Sequence, residues 1–375
     1  MPVKPHFLIA SNYTIYMKYH IITNRRILVE NGIEKIDTTN DGLPTDTLRF
    51  ATFDSTSTDP QAYTLIPDKA PSQPGAAVNN VNQYDVQYYF NDNEPVKVGS
   101  EKFFLDLYHE MASPDGGDVL VMYHGFNCDW KCAIDNLRNL EKCFVGAGSP
   151  IKHLVIFSWP SRGSVMRYKS DVLDAITSGV AIGRCFQLLC EFFYEAFNGL
   201  TARLPKPCNN KIHLLCHSMG NRVLENMLAK LISDGNKFSS IFEEIILASP
   251  DVDNICFEDP QPFSRLNSLG RRIHVYYNRN DLALTVSRKY ENPLKRLGTD
   301  GPSSLNNLPS HIYIIDCTEV ACQTDPSVNN TLVQHWYYDR VPKVYNDILS
   351  VLKGTNDEAI QANRVKVSDI KYRLT

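Results

Sequence analysis

The chain has 375 residues, 43% of them hydrophobic and 21% charged, which are ordinary proportions for a globular protein with a large core. Its 38 basic and 42 acidic residues leave a net charge of −4 and no long basic run, so we expect no nucleic-acid partner. No apolar stretch is expected to form a transmembrane segment, and the first residues are a poor match to a signal peptide. A cytoplasmic location is therefore expected.

The N-terminal quarter of the chain has a pattern different from the rest. Residues 1–95 contain apolar runs at 19–23, 48–53 and 84–90 with weak helical periodicity, which predicts short strands and turns. The stretch 54–83 is polar and proline-rich, and it predicts an exposed loop. We therefore expect a β-rich N-terminal segment that packs on a sheet or extends it.

Predicted strands and helices alternate over residues 96–353. The strand candidates are near-continuous apolar runs at 118–123, 153–157, 212–216, 244–248, 273–277 and 312–315. The helix candidates are 103–111, 130–144, 176–197, 221–232 and 342–352. This alternation predicts an α/β fold with an open, mostly parallel sheet covered by helices on both faces. The polar C-terminal tail, 354–375, is expected to fray.

The ten cysteines are scattered, several of them inside predicted strands and helices. This distribution is typical of reduced core cysteines rather than of a disulfide framework. Cys128, Cys132 and Cys143 are close in sequence, but no histidine pair stands at ligand spacing beside them. We therefore predict no metal site.

The most informative motif follows the strand at 212–216. It reads His217-Ser218-Met219-Gly220 and precedes a helix pattern. A strand, a tight turn with serine at its apex and a helix form the nucleophile elbow of serine hydrolases. Gly220 supplies the small residue needed two positions after Ser218, whereas Cys216 stands where glycine is usual. The alternative is that Ser218 only caps the helix.

Functional groups of a parallel sheet gather beyond the carboxyl ends of its strands. After the strand at 118–123 come His124 and Gly125, and an N–H of Phe126 or Asn127 could point into a cavity there. Together with the Met219 N–H it is predicted to form an oxyanion hole. An ordinary turn is the alternative.

Three further side chains are weak candidates for lining a substrate pocket. Trp159 and Arg162 follow the strand at 153–157, and Trp336 follows the last strand of the core. Arg162 could bind an acidic group of a substrate. Trp159 could instead seal the core, because aromatic side chains fill cores as readily as they line pockets.

The remaining catalytic candidates appear in a characteristic order. Asp281 follows the strand at 273–277, and His335 follows the last strand. Serine, acid, histidine is the chain order of α/β-hydrolases, in which the histidine takes the serine proton and the acid orients the histidine. Asp251 and Asp253, after the preceding strand, are alternative acids.

Five sequence blocks strengthen this interpretation as a set: Tyr-His-Gly-Phe-Asn at 123–127, Phe-Ser-Trp-Pro-Ser-Arg-Gly at 157–163, His-Ser-Met-Gly-Asn-Arg-Val-Leu at 217–224, Ser-Pro-Asp-Val-Asp at 249–253 and Asn-Asp-Leu-Ala-Leu at 280–284. With Ile-Thr-Asn-Arg-Arg at 22–26, they resemble a largely uncharacterised bacterial esterase/lipase-like family of the α/β-hydrolase superfamily. The resemblance covers residues 19–350. It implies an α/β-hydrolase fold with an eight-stranded sheet and one antiparallel strand near its start. It also implies Ser218 as nucleophile, Asp281 as acid and His335 as base, and it names no substrate.

These observations predict a serine hydrolase that cleaves a small-molecule acyl ester through an acyl-enzyme, with no cofactor. The same triad would serve a thioesterase, a lipase or an amidase. For a lipase, the segment Pro293 to Ser310 could be a lid, although a plain surface loop is the simpler interpretation. An alternative of another class is a non-catalytic binding module on the same fold. The sequence does not determine the oligomeric state.

Overall fold

The structure, a computed structural model, describes residues 17–39, 43–69, 97–161, 168–198, 208–235, 239–291, 294–306, 308–321, 334–360 and 364–375. Its strands are β1 (Lys18–Arg25), β2 (Ile27–Glu30), β3 (Ile33–Ile36), β4 (Pro44–Asp54), β5 (Tyr63–Leu65), β6 (Asp118–Tyr123), β7 (Ile151–Ser158), β8 (Ile212–His217), β9 (Phe242–Ala248), β10 (Gly270–Tyr277), β11 (Ile312–Asp316), β12 (Arg364–Lys366) and β13 (Lys371–Leu374). Its α-helices are α1 (Gly99–Met111), α2 (Trp130–Phe144), α3 (Tyr168–Asn198), α4 (Gly220–Ser233), α5 (Leu282–Glu291), α6 (Leu297–Asp300), α7 (Thr318–Ala321), α8 (Tyr337–Arg340) and α9 (Pro342–Leu352).

One large sheet organises the described residues. Its strand order is β12-β13-β11-β10-β9-β8-β6-β7-β1-β4-β5, and the run from β13 to β1 is parallel throughout. The α/β class with a mostly parallel sheet is therefore confirmed. The expected eight strands are too few, since eleven join this sheet in the described part of the chain, and antiparallel strands, β4 and β12, occur towards both ends.

Helices cover both faces of the sheet because successive side chains of each buried strand point to opposite sides. In β8, Leu214 packs in one apolar cluster with residues of α3 and α4. Its neighbour Leu215 packs in the other cluster with residues of α2 and α9. The near-continuous apolar runs of the central strands follow from this two-sided burial.

Helix α3 corrects one expectation from the sequence. Its segment Tyr168–Tyr194 is long and apolar enough, by length and composition, to cross a membrane, although no such stretch was expected. In the structure 56% of that window is buried, and the helix packs against α4 and β4 as the core helix of a globular domain does.

The N-terminal segment continues the sheet. β1 lies parallel to β7, β4 pairs antiparallel with β1, and β5 pairs with β4. β5 falls within 54–83, which the sequence predicted to be a loop. The strand predicted at 84–90 lies outside the described residues.

The C-terminal tail does not fray as expected, because β12 and β13 add a hairpin to the edge of the sheet. A buried ionic cluster fixes it there. Arg364 donates to Asp357 at 2.6 Å, and Arg272 donates to Glu244 at 2.6 Å. His274 bridges the two acids, with Nε2 3.0 Å from Glu244 and Nδ1 3.4 Å from Asp357. The polar sequence of the tail did not predict this cluster, because the residues that form the cluster come from distant parts of the chain.

Candidate active site

Ser218 lies on a strained turn between β8 and α4. Its φ of +54° is in the left-handed region, which a non-glycine residue rarely adopts. Gly220 makes the turn possible, because a Cβ there would overlap the Tyr123 carbonyl and lie 2.7 Å from the His124 carbonyl oxygen. This strand–turn–helix geometry is that of a nucleophile elbow.

The departure at Cys216 is accommodated inside the core. Its side chain is fully buried, and burial raises the pKa of the thiol well above its usual value, so the thiol stays neutral. Asn221 stabilises the turn, because its Nδ2 donates to the carbonyl oxygens of Cys216 and Ser218, both at 3.0 Å. Cys216, the small residue before the elbow, therefore contributes to the packing of the core.

His335 and Asp281 form a buried pair beyond the ends of β10 and β11. His335 Nδ1 lies 2.7 Å from Asp281 Oδ2. The other carboxylate oxygen, Oδ1, accepts the Leu284 N–H at 3.0 Å at the start of α5. This arrangement fixes the imidazole tautomer, so that Nδ1 carries the proton and Nε2 can accept one.

Two residues hold His335 in place, and reasoning from the sequence identified neither of them. His217 Nε2 donates to the His335 carbonyl at 3.2 Å, and Ser249 Oγ donates to the same oxygen at 2.8 Å. Burial and the nearby His335 lower the pKa of His217, so His217 is neutral. The signal was present in the sequence, because His217 directly precedes Ser218 and Ser249 directly follows β9.

The contact between His335 and His217 places His335 next to the elbow. The rings of His335 and His217, the residue before Ser218, have centroids 4.8 Å apart. In the part of the chain that the structure describes, no hydrogen bond joins Ser218 Oγ to His335. Such bonds are often long in the absence of a ligand and tighten in the reacting complex.

Asp251 and Asp253, the alternative acids, have other partners. Asp251 accepts hydrogen bonds from Tyr168 Oη and Ser287 Oγ and lies 3.4 Å from Arg296. Asp253 accepts from Arg296 at 2.6 Å. Neither carboxylate is bonded to His335 in the described residues, so the geometry favours Asp281 as its partner.

The predicted oxyanion loop lies against the elbow. A Cβ at Gly125 would lie 2.9 Å from the Ser218 Cβ, so only glycine allows this approach. The Asn127 N–H already donates to Ser161 Oγ at 2.8 Å, and Ser161 in turn donates to Asp171 at 2.7 Å. Of the two N–H groups predicted there, that of Phe126 is the one with no partner among the described residues.

Strained backbone is concentrated at this edge of the sheet. Asn127, Ser218 and Ser249 have φ values of +59°, +54° and +45° and follow β6, β8 and β9. Left-handed non-glycine residues persist only where surrounding contacts impose them, and they cluster at functional sites.

Trp159 has a structural position. It is fully buried and stacks on His124, with ring centroids 5.2 Å apart, and its Nε1 donates to the His124 carbonyl. Burial lowers the pKa of His124 to about 3, so this histidine is neutral. Arg25 donates to the carbonyls of Trp159 and Cys128 and ties the two loops together. This burial favours a role for Trp159 in the core over the predicted pocket lining.

Trp336 lies beside the histidine. Its ring meets His335 edge-on at 5.1 Å, and the Arg340 guanidinium lies 5.1 Å above it. Trp336 remains a candidate for lining a substrate pocket. Arg162 lies outside the described residues.

The cysteine prediction was wrong at one place. Cys128 and Cys132 form a disulfide that joins the end of the oxyanion loop to the first turn of α2. The sequence could not show it, because the pairing depends on the turn at Asp129 that caps the helix. Cys143 and the other described cysteines are free thiols. Among the described residues no group of histidine, cysteine and acidic side chains could hold a metal ion.

One cavity among the described residues lies elsewhere. It has a volume of about 740 Å³ and sits at the amino ends of β8 and β9, between Met111, Phe192 and Phe242. None of the candidate catalytic residues lines it. Since the amino and carboxyl ends of parallel strands are opposite edges, this cavity is not part of the site.

Comparison with known proteins agrees with the geometry. A family described as alpha/beta hydrolase of unknown function (DUF900) matches residues 102–352, more than half of the chain. The chain belongs to this family. The family resemblance and the α/β-hydrolase fold expected from the sequence are thus confirmed.

A curated relative of this alpha/beta hydrolase has no assigned activity. It is described as uncharacterized protein alr1448 of Nostoc sp. (strain PCC 7120) and is 24% identical over 289 residues. The match covers 65% of this chain and 66% of the relative, so the chain spans just under two thirds of that protein's length. Family membership therefore assigns a hydrolase fold and leaves the reaction to be inferred from the site.

Proposed function

We propose that this alpha/beta hydrolase cleaves carboxylic esters through Ser218, His335 and Asp281. One observation carries the proposal, namely the buried His335–Asp281 hydrogen bond of 2.7 Å next to a serine held at positive φ. A helix cap at Ser218 would require neither feature. Capping serines have extended backbone, whereas the cap residue of α4 is Met219, with no side-chain cap hydrogen bond.

The proposed reaction runs through an acyl-enzyme. Ser218 Oγ attacks the ester carbonyl while His335 Nε2 takes its proton, and Asp281 stabilises the resulting imidazolium. The N–H groups of Met219 and Phe126 hold the oxyanion. His335 then protonates the departing alkoxide, and water activated by the same histidine releases the acid.

The alternatives share the fold and differ in the chemistry. A thioesterase, lipase or amidase would use the same three residues. The segment suggested as a lipase lid is bonded to the loop after β9, with the Gly298 N–H donating to the Pro250 carbonyl, which favours a fixed loop. A non-catalytic binding module would not need a strained serine beside a paired histidine.

A fluorophosphonate probe and a series of p-nitrophenyl esters of increasing chain length test the proposal. We expect Ser218-dependent labelling and turnover. Ser218→Ala should lower kcat about a million-fold, by analogy with triad deletions. The matched control is Ser233→Ala, whose hydroxyl donates to the Lys230 carbonyl at the far end of α4. It should label and turn over like the unmodified protein.

Three results separate the alternatives. Labelling with no ester turnover would direct the search to thioesters and amides. Equal labelling of Ser218→Ala and the unmodified protein would remove Ser218 as the nucleophile. Folded protein that neither labels nor turns over would favour the binding module.

A further inference from the structure

Arg25, the last residue of β1, is a buried arginine that the proposed reaction does not use. Its side chain is 1% exposed, and the pairing of β1 with β4 shifts register between Thr23 and Arg25, as at a bulge that redirects a side chain. Among the described residues no carboxylate forms an ion pair with the guanidinium. Burial lowers the pKa of Arg25 from 12.5 to about 10, so it stays charged at neutral pH. Burying such a charge costs free energy, so stability alone does not account for Arg25.

The guanidinium holds two loops at the carboxyl edge of the sheet. Its Nη2 donates to the Cys128 carbonyl at 3.1 Å, after β6, and to the Trp159 carbonyl at 3.0 Å, after β7. Its Nε donates to Ser158 Oγ at 3.1 Å. Hydrogen bonds from a charged donor are stronger than those between neutral groups, and the planar guanidinium fixes their directions. Arg25 therefore fixes the loop that follows β6 relative to the loop that follows β7.

The loop after β6 contains the Phe126 N–H, and contacts on both sides of this residue hold the loop. Before it, the Trp159 N–H donates to His124 Nε2 at 3.2 Å. After it, Arg25 donates to the Cys128 carbonyl. The Phe126 N–H has no partner of its own in the described part of the chain. Its direction therefore depends on the contacts of its neighbours, and Arg25 supplies the one at Cys128.

We propose that Arg25 is a positioning residue of the oxyanion hole. It holds the loop after β6 so that the Phe126 N–H faces the oxyanion formed when Ser218 attacks an ester. The anchoring of the loop stands on the contacts of Arg25, whereas its consequence for turnover rests on the proposed function. In this proposal β1 belongs to the catalytic unit, which gives a role to the Ile-Thr-Asn-Arg-Arg block at 22–26 that the triad does not use.

The experiment compares Arg25→Lys with Arg272→Lys in the full chain. Lysine keeps the charge, but its single nitrogen cannot bond both carbonyls and Ser158 Oγ in the geometry of the guanidinium. Arg272 is the matched control because it is 3% exposed and also donates to a backbone carbonyl, that of Thr355 at 2.8 Å, in the cluster that fixes the C-terminal tail.

The two variants should differ in kinetics. For Arg25→Lys we expect kcat of ester hydrolysis to fall about a hundredfold with KM nearly unchanged, because loss of one oxyanion donor costs a factor of about 10²–10³ in kcat. Affinity for a trifluoromethyl ketone should fall in proportion, since the oxygen anion of its Ser218 adduct occupies the same position. Arg272→Lys should lower the midpoint of thermal unfolding and leave kcat of the folded protein unchanged.

Amide hydrogen exchange measures the anchoring without catalysis. The peptide that covers 124–128 should exchange faster in Arg25→Lys than in the unmodified protein, while peptides of the central strand β8 should exchange alike in both. If Arg25→Lys does not fold, Ser158→Ala gives the same test, because it removes one acceptor and leaves the guanidinium in place. Its effects should be smaller and in the same direction.

The outcomes separate the anchoring from the reaction. Faster exchange of 124–128 in the variant, with no labelling or turnover by the unmodified protein, would support the anchoring and remove the proposed function. Unchanged exchange of 124–128 would overturn the proposal. Faster exchange with unchanged kcat and ketone affinity would also overturn it, as would an equal loss of kcat in Arg25→Lys and Arg272→Lys.

Discussion

Several buried histidines lie beside carboxylates, and two of them, His274 and His335, differ in what surrounds them. His274 is enclosed between Glu244 and Asp357 in a cluster with two arginines. His335 has one acid, Asp281, on Nδ1, and no hydrogen bond among the described residues uses its Nε2. A histidine paired with a carboxylate is therefore not by itself evidence of catalysis. The adjacent strained serine distinguishes the candidate active site, because among the described residues His20 and His213 also pair with a carboxylate and have a second ring nitrogen without a hydrogen bond.

The two clusters also differ in their expected contribution to stability. The cluster around His274 joins β9, β10 and the C-terminal tail, so removing one charge leaves another buried and unpaired. The His335–Asp281 pair fixes one loop at the edge of the sheet, beyond the core strands. We therefore expect substitutions in the first cluster to change folding and those in the second to change turnover.

Among substitutions in these two clusters, the largest expected effect is at Asp281. Asp281→Asn should lower kcat of ester hydrolysis about ten-thousand-fold, because the amide favours the wrong tautomer of His335. Asp251→Asn is the comparison, as Asp251 bonds Tyr168 and Ser287 and not His335. Steady-state kinetics on both variants, with circular dichroism to verify folding, is the measurement. An equal loss in the two would break the assignment of the acid.

Arg364→Ala should show the opposite behaviour. Removing it leaves Asp347 without its guanidinium and Asp357 with that of Arg272 at 3.3 Å, and loss of one partner of a buried ion pair destabilises by about 3–5 kcal/mol. Urea unfolding measures this loss, and the folded fraction should retain its kcat. Unchanged stability would show that the cluster does not hold the tail.

Acid should weaken the same cluster first. Although burial opposes ionisation, His274 and Arg364 lower the pKa of Asp357 from 3.8 to about 2, and His274 and Arg272 lower that of Glu244. A lowered carboxylate pKa adds stability that is fully present above the unfolded value and is lost as pH falls through the folded value. The free energy of unfolding should therefore drop between about pH 4 and pH 2. Asp357→Asn should flatten that slope, and an unaltered slope would contradict the assignment.

The smallest effect concerns Asp339, which lies on α8 and accepts a hydrogen bond from Asn139. Burial raises its pKa from 3.8 to about 7, so the folded chain holds this proton more tightly than the unfolded chain. Stability should therefore decline as pH rises through this interval, since the unfolded chain releases the proton while the folded chain still holds it. Asp339→Asn should keep the hydrogen-bonding group and remove the decline. Thermal unfolding at pH 5 and pH 8 compares the two proteins, and an equal shift in both would contradict the prediction.

Much of the core could be predicted from the sequence because its strands are apolar on both faces. The strand predicted at 118–123 coincides with β6, and the helix predicted at 130–144 coincides with α2. Helix α3 begins eight residues before its predicted start at 176. Its first turns contain Asp171 and Asp174, which interrupt the apolar periodicity of the sequence and are nevertheless buried.

The candidate site, like the core, could be predicted from the sequence only in part. The order Ser218, Asp281, His335 is visible in the sequence, because each residue follows a recognisable strand. The choice of Asp281 over Asp251 required the structure, since it depends on which loop reaches His335. The supporting roles of His217 and Ser249 also required it, because both act through one carbonyl group more than 80 residues away in the chain.

The amino-acid sequence by itself determined the α/β-hydrolase core and the serine turn, because apolar periodicity and the small residue at Gly220 are local properties of the chain. Tertiary structure alone decided the order of eleven strands, the Cys128–Cys132 pairing, the ordered tail and the partner of His335. Each of these depends on side chains that are distant in sequence or on the geometry of a turn, and the energy of such a contact exists only once the sheet has brought its partners together.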